Sequence, residues 1–170
     1  MKVLHLALAA AALALLGGMA SAQAQTRWTP FQPSGDGYRV EFPGEPTVVR
    51  DTIQSRVGPA PHVKASLEFE DYLCSVDLTT YASASPPEAV LDFLVSVADK
   101  TGKARAQTHL KIGTAPARRL EVELEGGKFI SSILFVTDGT RVYRVSCIIP
   151  RGLETAVFVK HFIDSFVLVP

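Results

Sequence analysis

"LEVELEGGKFISSILFVTDGTRVYRVS", residues 120–146, sets the fold. Leu120, Val122 and Leu124 alternate with Glu121, Glu123 and Glu125, the period of a strand with one buried face. Gly126-Gly127 suits a two-residue hairpin turn, after which Lys128 to Val136 returns antiparallel. That turn places Leu120 opposite Ile133, Val122 opposite Ser131 and Leu124 opposite Phe129, so Phe129, Ile133 and Phe135 share the buried face. Asp138-Gly139 marks a second turn, where two registers compete. A two-residue Asp138-Gly139 loop sets Ile133 opposite Arg144 and sends Tyr143, Val145 and Cys147 to the other side. A three-residue loop, with Gly139 left-handed in a bulge, puts Tyr143, Val145, Cys147 and Ile149 on the face of Phe129 and Ile133. A slip of one residue flips every side chain, and the longer loop is the expectation. Leu134, Val136, Val142 and Ile148 then make the opposite face apolar as well, which requires cover on both sides.

On the N-terminal side, Tyr38, Val40 and Phe42 alternate with Arg39 and Glu41, and Pro43-Gly44-Glu45-Pro46 ends the strand. Gln25 to Gly37 reads as an irregular lead-in tied down by Trp28 and Phe31. Thr47 to Arg56 forms a second strand, and Gly58-Pro59-Ala60-Pro61 is expected to break the chain. Val63 to Tyr81 then makes a hairpin interrupted near Glu70-Asp71, with Tyr72, Cys74, Val76 and Leu78 on one face. Ser85-Pro86-Pro87-Glu88 has the form of a capping box with prolines at the first helical positions, so a helix is expected over 86–100, with Gly102 as a left-handed stop. Its apolar arc, Val90, Leu91, Phe93, Leu94, Val95, Val97 and Ala98, is wide enough to imply that it lies in a groove. A second helix is expected over 154–165, burying Phe158, Val159, Phe162, Ile163 and Phe166 and presenting Lys160, His161 and Asp164 outward. Phe166 to Val169 closes as a short strand. Strands and helices in this order indicate the α+β class, with an antiparallel sheet and two main helices.

Residues 1–24 read as a secretory signal peptide. Lys2 precedes an apolar run from Leu4 to Leu16, and Ala20-Ser21-Ala22 and Ala22-Gln23-Ala24 offer cleavage sites after residue 22 or 24. The run is shorter than the about 20 residues of a bilayer span. The mature product is expected in the periplasm or outside the cell, with no stable membrane insertion after cleavage. Residues 25–170 then form a single domain, long enough for one core. The chain carries 17 basic and 17 acidic residues. That balance argues against a nucleic-acid partner, which needs a strongly basic face to displace counterions.

"YRVEFPGEP", "ARRLEVELEGG", the hairpin "LFVTDGTRVYRVS" and the terminal "HFIDSFVL" together resemble bacterial secreted proteins of the PsbP-like superfamily. That superfamily also includes the extrinsic PsbP proteins of photosystem II and a Ran-binding nuclear import factor. The resemblance implies an α/β/α sandwich around an antiparallel sheet, and a role in binding or assembling other proteins. It carries no catalytic motif to residues of this chain.

No nucleophile elbow, zinc-protease helix, Cys-x-x-Cys or phosphate-binding glycine loop is present. His62, His109 and His161 read as solvated, since a metal site would need at least three ligands from distant segments. Glu121 with Glu123, and Glu68 with Glu70, share strand faces that alternation turns outward. Lys100, Lys103, Arg105, Lys111, Arg118 and Arg119 form either a docking patch for an acidic partner or a salt-bridged face, the latter being the simpler reading. Cys74 and Cys147 lie on apolar faces of their strands. A disulfide requires those strands to be adjacent, with Cα atoms within about 7 Å; two buried free thiols are the alternative. No cofactor and no catalytic or metal residues are expected. The reading is therefore a non-catalytic module that binds an envelope protein, with a carrier of a small apolar ligand as the alternative. A cavity above about 300 Å³ between the sheet and helix 86–100 would favour the carrier.

Overall fold

The computed structural model describes residues 27–69, 71–153 and 156–170. The expected signal peptide, Glu70 and the expected start of the second helix at Glu154 lie outside the described residues. The strands are β1 (Thr29–Phe31), β2 (Tyr38–Phe42), β3 (Thr47–Ser55), β4 (Gly58–Phe69) and β5 (Tyr72–Thr80), followed by α1 (Pro87–Thr101). Then come β6 (Lys103–Ile112), β7 (Ala115–Leu124), β8 (Phe129–Asp138), β9 (Arg141–Pro150), α2 (Val157–Asp164) and β10 (Val167–Leu168). Seven strands form an antiparallel sheet in the order β3-β4-β5-β9-β8-β7-β6, and β1-β2-β10 form a smaller one.

The β7–β8 hairpin pairs Leu120 with Ile133, Val122 with Ser131 and Leu124 with Phe129, as alternation requires. The β8–β9 turn departs from the expected three-residue loop. Asp138 pairs with Arg141 and Ile133 with Ser146, so Gly139 and Thr140 alone make the turn. Gly139 is left-handed at φ 64°, and Arg141 donates to Asp138 at 2.6 Å across the turn. Tyr143, Val145, Cys147 and Ile149 therefore share a face with Ile130, Leu134 and Val136, whereas Val142 and Ile148 lie on the side of Phe129 and Ile133. Residues 133–136 are buried on both faces, so alternation along β8 cannot by itself choose between registers.

Each face of the seven-stranded sheet supports its own apolar cluster. On one, Tyr38, Val40 and Phe42 of β2 join Val159, Phe162 and Ile163 of α2 against Val76, Val145 and Leu134. Phe42 and Phe162 meet with ring centroids 4.9 Å apart, and each such buried side chain contributes on the order of 2 kcal/mol. Burial pushes Tyr143 up to about 12 and Tyr38 higher still; the Tyr143 hydroxyl donates to the Asp36 carbonyl at 3.1 Å. On the other face Leu91 and Ala98 of α1 pack on Leu120, Val122, Ile133 and Phe135.

Several local expectations change. The segment Gly58–Pro61 does not break the chain but opens β4, pairing with β3 from Ser55 to Thr52. β5 reaches β4 only from His62 onward, so the first residues pair on one side, where a proline's missing donor costs no second ladder bond. Thr29–Phe31 is a strand on β2 rather than an irregular lead-in. Ser85 does not cap α1: Pro86 holds that position with no side-chain cap. Gly102 is extended rather than left-handed. Its requirement is close approach, since a Cβ there would collide with the Glu123 carbonyl oxygen and Val122.

Candidate functional site

Cys74 and Cys147 face each other directly on β5 and β9. Their Cα atoms lie 4.1 Å apart and the sulfurs are bonded. Both are buried within the larger cluster, so the bridge is a structural staple.

Of the histidines, His109 is exposed. His161 lies tilted against Trp28 with ring centroids 4.0 Å apart and hydrogen-bonds Glu41 at 2.6 Å, fastening β2 and the residue before β1 to α2. His62 is not simply solvated: its ring lies 3.0 Å from Asp51 and 3.6 Å from Asp77, with the side chain 18% exposed. Among the described residues, no group of three or more His, Cys, Asp or Glu is placed to hold a metal ion. The arginines of the basic middle segment are paired, Arg105 with Glu123 and Arg119 with Asp164. Burial alone would raise Asp164, but hydrogen bonds from Arg119 and Lys160 outweigh it and hold the carboxyl below its ordinary value. Arg118 is the exception to a solvated face. Its side chain is 4% exposed, reaching from β7 to Glu88 and Asp92 on α1.

The clearest concave feature follows from where α1 sits. The helix packs on β7, β8 and β6, while its apolar arc is wider than that contact. Leu91 and Ala98 are buried, Leu94 and Val95 half-buried, and Phe93 remains 44% exposed. The expected groove burial is thus only partly realised, because among the described residues no strand or helix covers the far side of α1. That side instead overlooks β9, β5, β4 and β3.

The gap is closed at its outer end by the β3–β4 turn. Ser55 donates to the Gly58 carbonyl at 2.6 Å, and Val57 donates its amide to Ser55 Oγ at 3.2 Å. This folds Arg56 and Val57 toward the helix, with the Arg56 guanidinium 5.0 Å above the Phe93 ring. The result is a cleft of about 640 Å³. Its walls are Val90, Phe93 and Leu94 of α1, Ile53 of β3 and Val142 of β9; Tyr81, Ser83 and Ser85 from the β5–α1 connection add hydroxyls. The Tyr81 amide donates to the Thr140 carbonyl at 2.9 Å, which fixes that connection to the β8–β9 turn.

Behind the cleft lies a polar recess of about 210 Å³ that shares Tyr81, Leu94 and Val142 with it and adds His62, Asp77, Thr79 and Arg144. Asp77 and Arg144 are cross-strand neighbours, so this recess is close to balanced in charge. Sequence reasoning did not single out Arg56, Tyr81 or Arg144. The surplus width of the α1 apolar arc was the available signal, since a stripe wider than its contact must border open space.

Fold and site together define a mostly β, antiparallel α+β protein with a lateral cleft between a helix and a hairpin. Compared with known protein families and curated proteins, the chain matches none.

Proposed function

We propose that this protein is a non-catalytic, periplasmic or secreted binding module of the PsbP-like type, which carries a small, largely apolar ligand in the cleft beneath α1. An apolar cluster on each face of the antiparallel sheet supports an α/β/α layering. The observation that carries the functional reading is the cleft itself: about 640 Å³, walled mainly by aliphatic and aromatic side chains. Small-ligand sites have this size, and a few polar groups among apolar walls is their usual composition.

The test uses the neutral apolar dye N-phenyl-1-naphthylamine and the variant Ala89→Trp. Ala89 lines the cleft but is exposed, so the indole fills the space without entering either core. Saturable dye fluorescence at one site per chain, abolished by A89W while circular dichroism is unchanged, is expected. Equal dye binding by the variant and the unaltered protein would refute the reading.

A second reading, docking of an envelope protein, rests on the sheet edge. β3 is an outermost strand with Val49 52% exposed, the kind of edge to which a partner can add a strand. Val49→Lys should then release a stoichiometric partner captured from envelope extract while leaving dye binding intact.

A further inference from the structure

Resting on the cleft as a ligand site, we propose that its ligand is a singly anionic amphiphile, with Arg56 as the counter-ion of its head group. The argument is charge complementarity. Among the described residues that line the cleft, none is acidic and Arg56 alone is charged. Among the described residues Arg56 also makes no ion pair. Its guanidinium lies over the face of Phe93 at 5.0 Å, a weak interaction at an exposed site. A carboxylate, sulfate monoester or phosphodiester entering at the β3–β4 turn would replace that contact with charge-assisted hydrogen bonds.

Arg144, in the recess behind, is a poorer candidate because Asp77 faces it across the strands. The apolar body of the ligand lies along Val90, Phe93 and Leu94, with Val142 and Ile53 opposite. Ser83 and Ser85 stand at the polar rim. Two or more negative charges would exceed the single cation, and a cationic head would meet only Arg56.

Three probes with one chain length and different heads separate the possibilities: dodecanoate, dodecanol and dodecyltrimethylammonium, each displacing N-phenyl-1-naphthylamine from the purified protein. Dodecanoate is expected to compete at about tenfold lower concentration than dodecanol, the size of one well-made charged hydrogen-bonded pair. The trimethylammonium compound is expected to compete least. Arg56→Gln should narrow the gap between carboxylate and alcohol to about twofold, leaving dodecanol unchanged, and Arg56→Lys should keep part of it. Arg56 is exposed on a turn, so neither variant threatens folding. Equal competition by dodecanoate and dodecanol, or a gap that persists in R56Q, would overturn the assignment of Arg56 while leaving the cleft as an apolar site. Failure of all three probes to displace the dye would overturn the cleft reading as well; if the protein then sediments as a dimer, a second copy occupies the surface.

Discussion

Opening the bridge between Cys74 and Cys147 is a perturbation whose size the fold sets directly. The two cysteines are 73 residues apart in sequence. Cross-linking a loop of that length removes chain entropy from the unfolded ensemble equivalent to about 4 kcal/mol at 25 °C. Net stabilities of small domains are about 5–15 kcal/mol, so the bridge is a large fraction of the total. The bond lies inside the sheet, with Cys74 and Cys147 both essentially inaccessible. A thiol reductant should therefore act slowly on the folded protein and quickly in urea.

The assay is equilibrium urea unfolding, followed by Trp28 fluorescence and by circular dichroism, for three species: the oxidised protein, the protein reduced while unfolded and then refolded, and Cys74→Ala with Cys147→Ala. The reduced protein keeps both sulfurs, so its loss of about 4 kcal/mol reports the cross-link alone. The double alanine variant should lose about 1–2 kcal/mol more, for the small voids left in a tightly packed cluster. The dependence of stability on urea should steepen in both, because the uncrosslinked chain exposes more surface on unfolding. Two titratable thiols in the unreduced, unfolded protein would refute the bridge itself. A loss below about 1 kcal/mol on reduction would refute the entropic account.

Two further predictions test the ion pairs. Arg118 is buried while Glu88 and Asp92 are largely exposed, so removing either side of the cluster has unequal effects: Arg118→Met should be nearly neutral in thermal unfolding, whereas Glu88→Gln with Asp92→Asn, which strands a buried guanidinium, should cost about 2–3 kcal/mol. Asp164 is held below its ordinary value, so its contribution is present above the unfolded carboxyl range and disappears as pH falls through the folded value. In a urea series from pH 7 to pH 2, Asp164→Asn should lower stability by under about 1 kcal/mol at pH 7, given the exposure of its partners, and converge with the unaltered protein below about pH 4; a constant difference across that range would count against the ion-pair account.

Much of the fold was legible where one face was buried and the other wet. The β2 pattern of Tyr38, Val40 and Phe42 inward is reproduced, as is the β7–β8 register. Legibility failed where that asymmetry was missing. β8 is apolar on both faces, so the turn after it was misassigned by one residue. β6 is exposed without a break from Arg105 to His109, and that stretch has no alternation to read. Gly102 looked like a helix stop, but its reason lies on a strand distant in sequence, at the Glu123 carbonyl. The same limit applies to the site. Arg56 and Phe93 are 37 positions apart, and only the three-dimensional course of the β3–β4 turn brings them together.

The small sheet has a consequence for the order of folding. β2 is flanked by β1 on one side and by β10 on the other, with Arg39 opposite Val167 and Tyr38 opposite Leu168. The Glu41 amide donates to Ser165 Oγ at 2.9 Å, and the Val169 amide to the Gly37 carbonyl at 3.0 Å. A strand that emerges early during synthesis thus waits for residues near the opposite end of the chain before its aromatic face is covered. Such non-local pairing slows folding, and it makes the last dozen residues the clasp: a nascent or truncated chain that stops before Phe162 would leave Tyr38, Val40 and Phe42 open to misassociation.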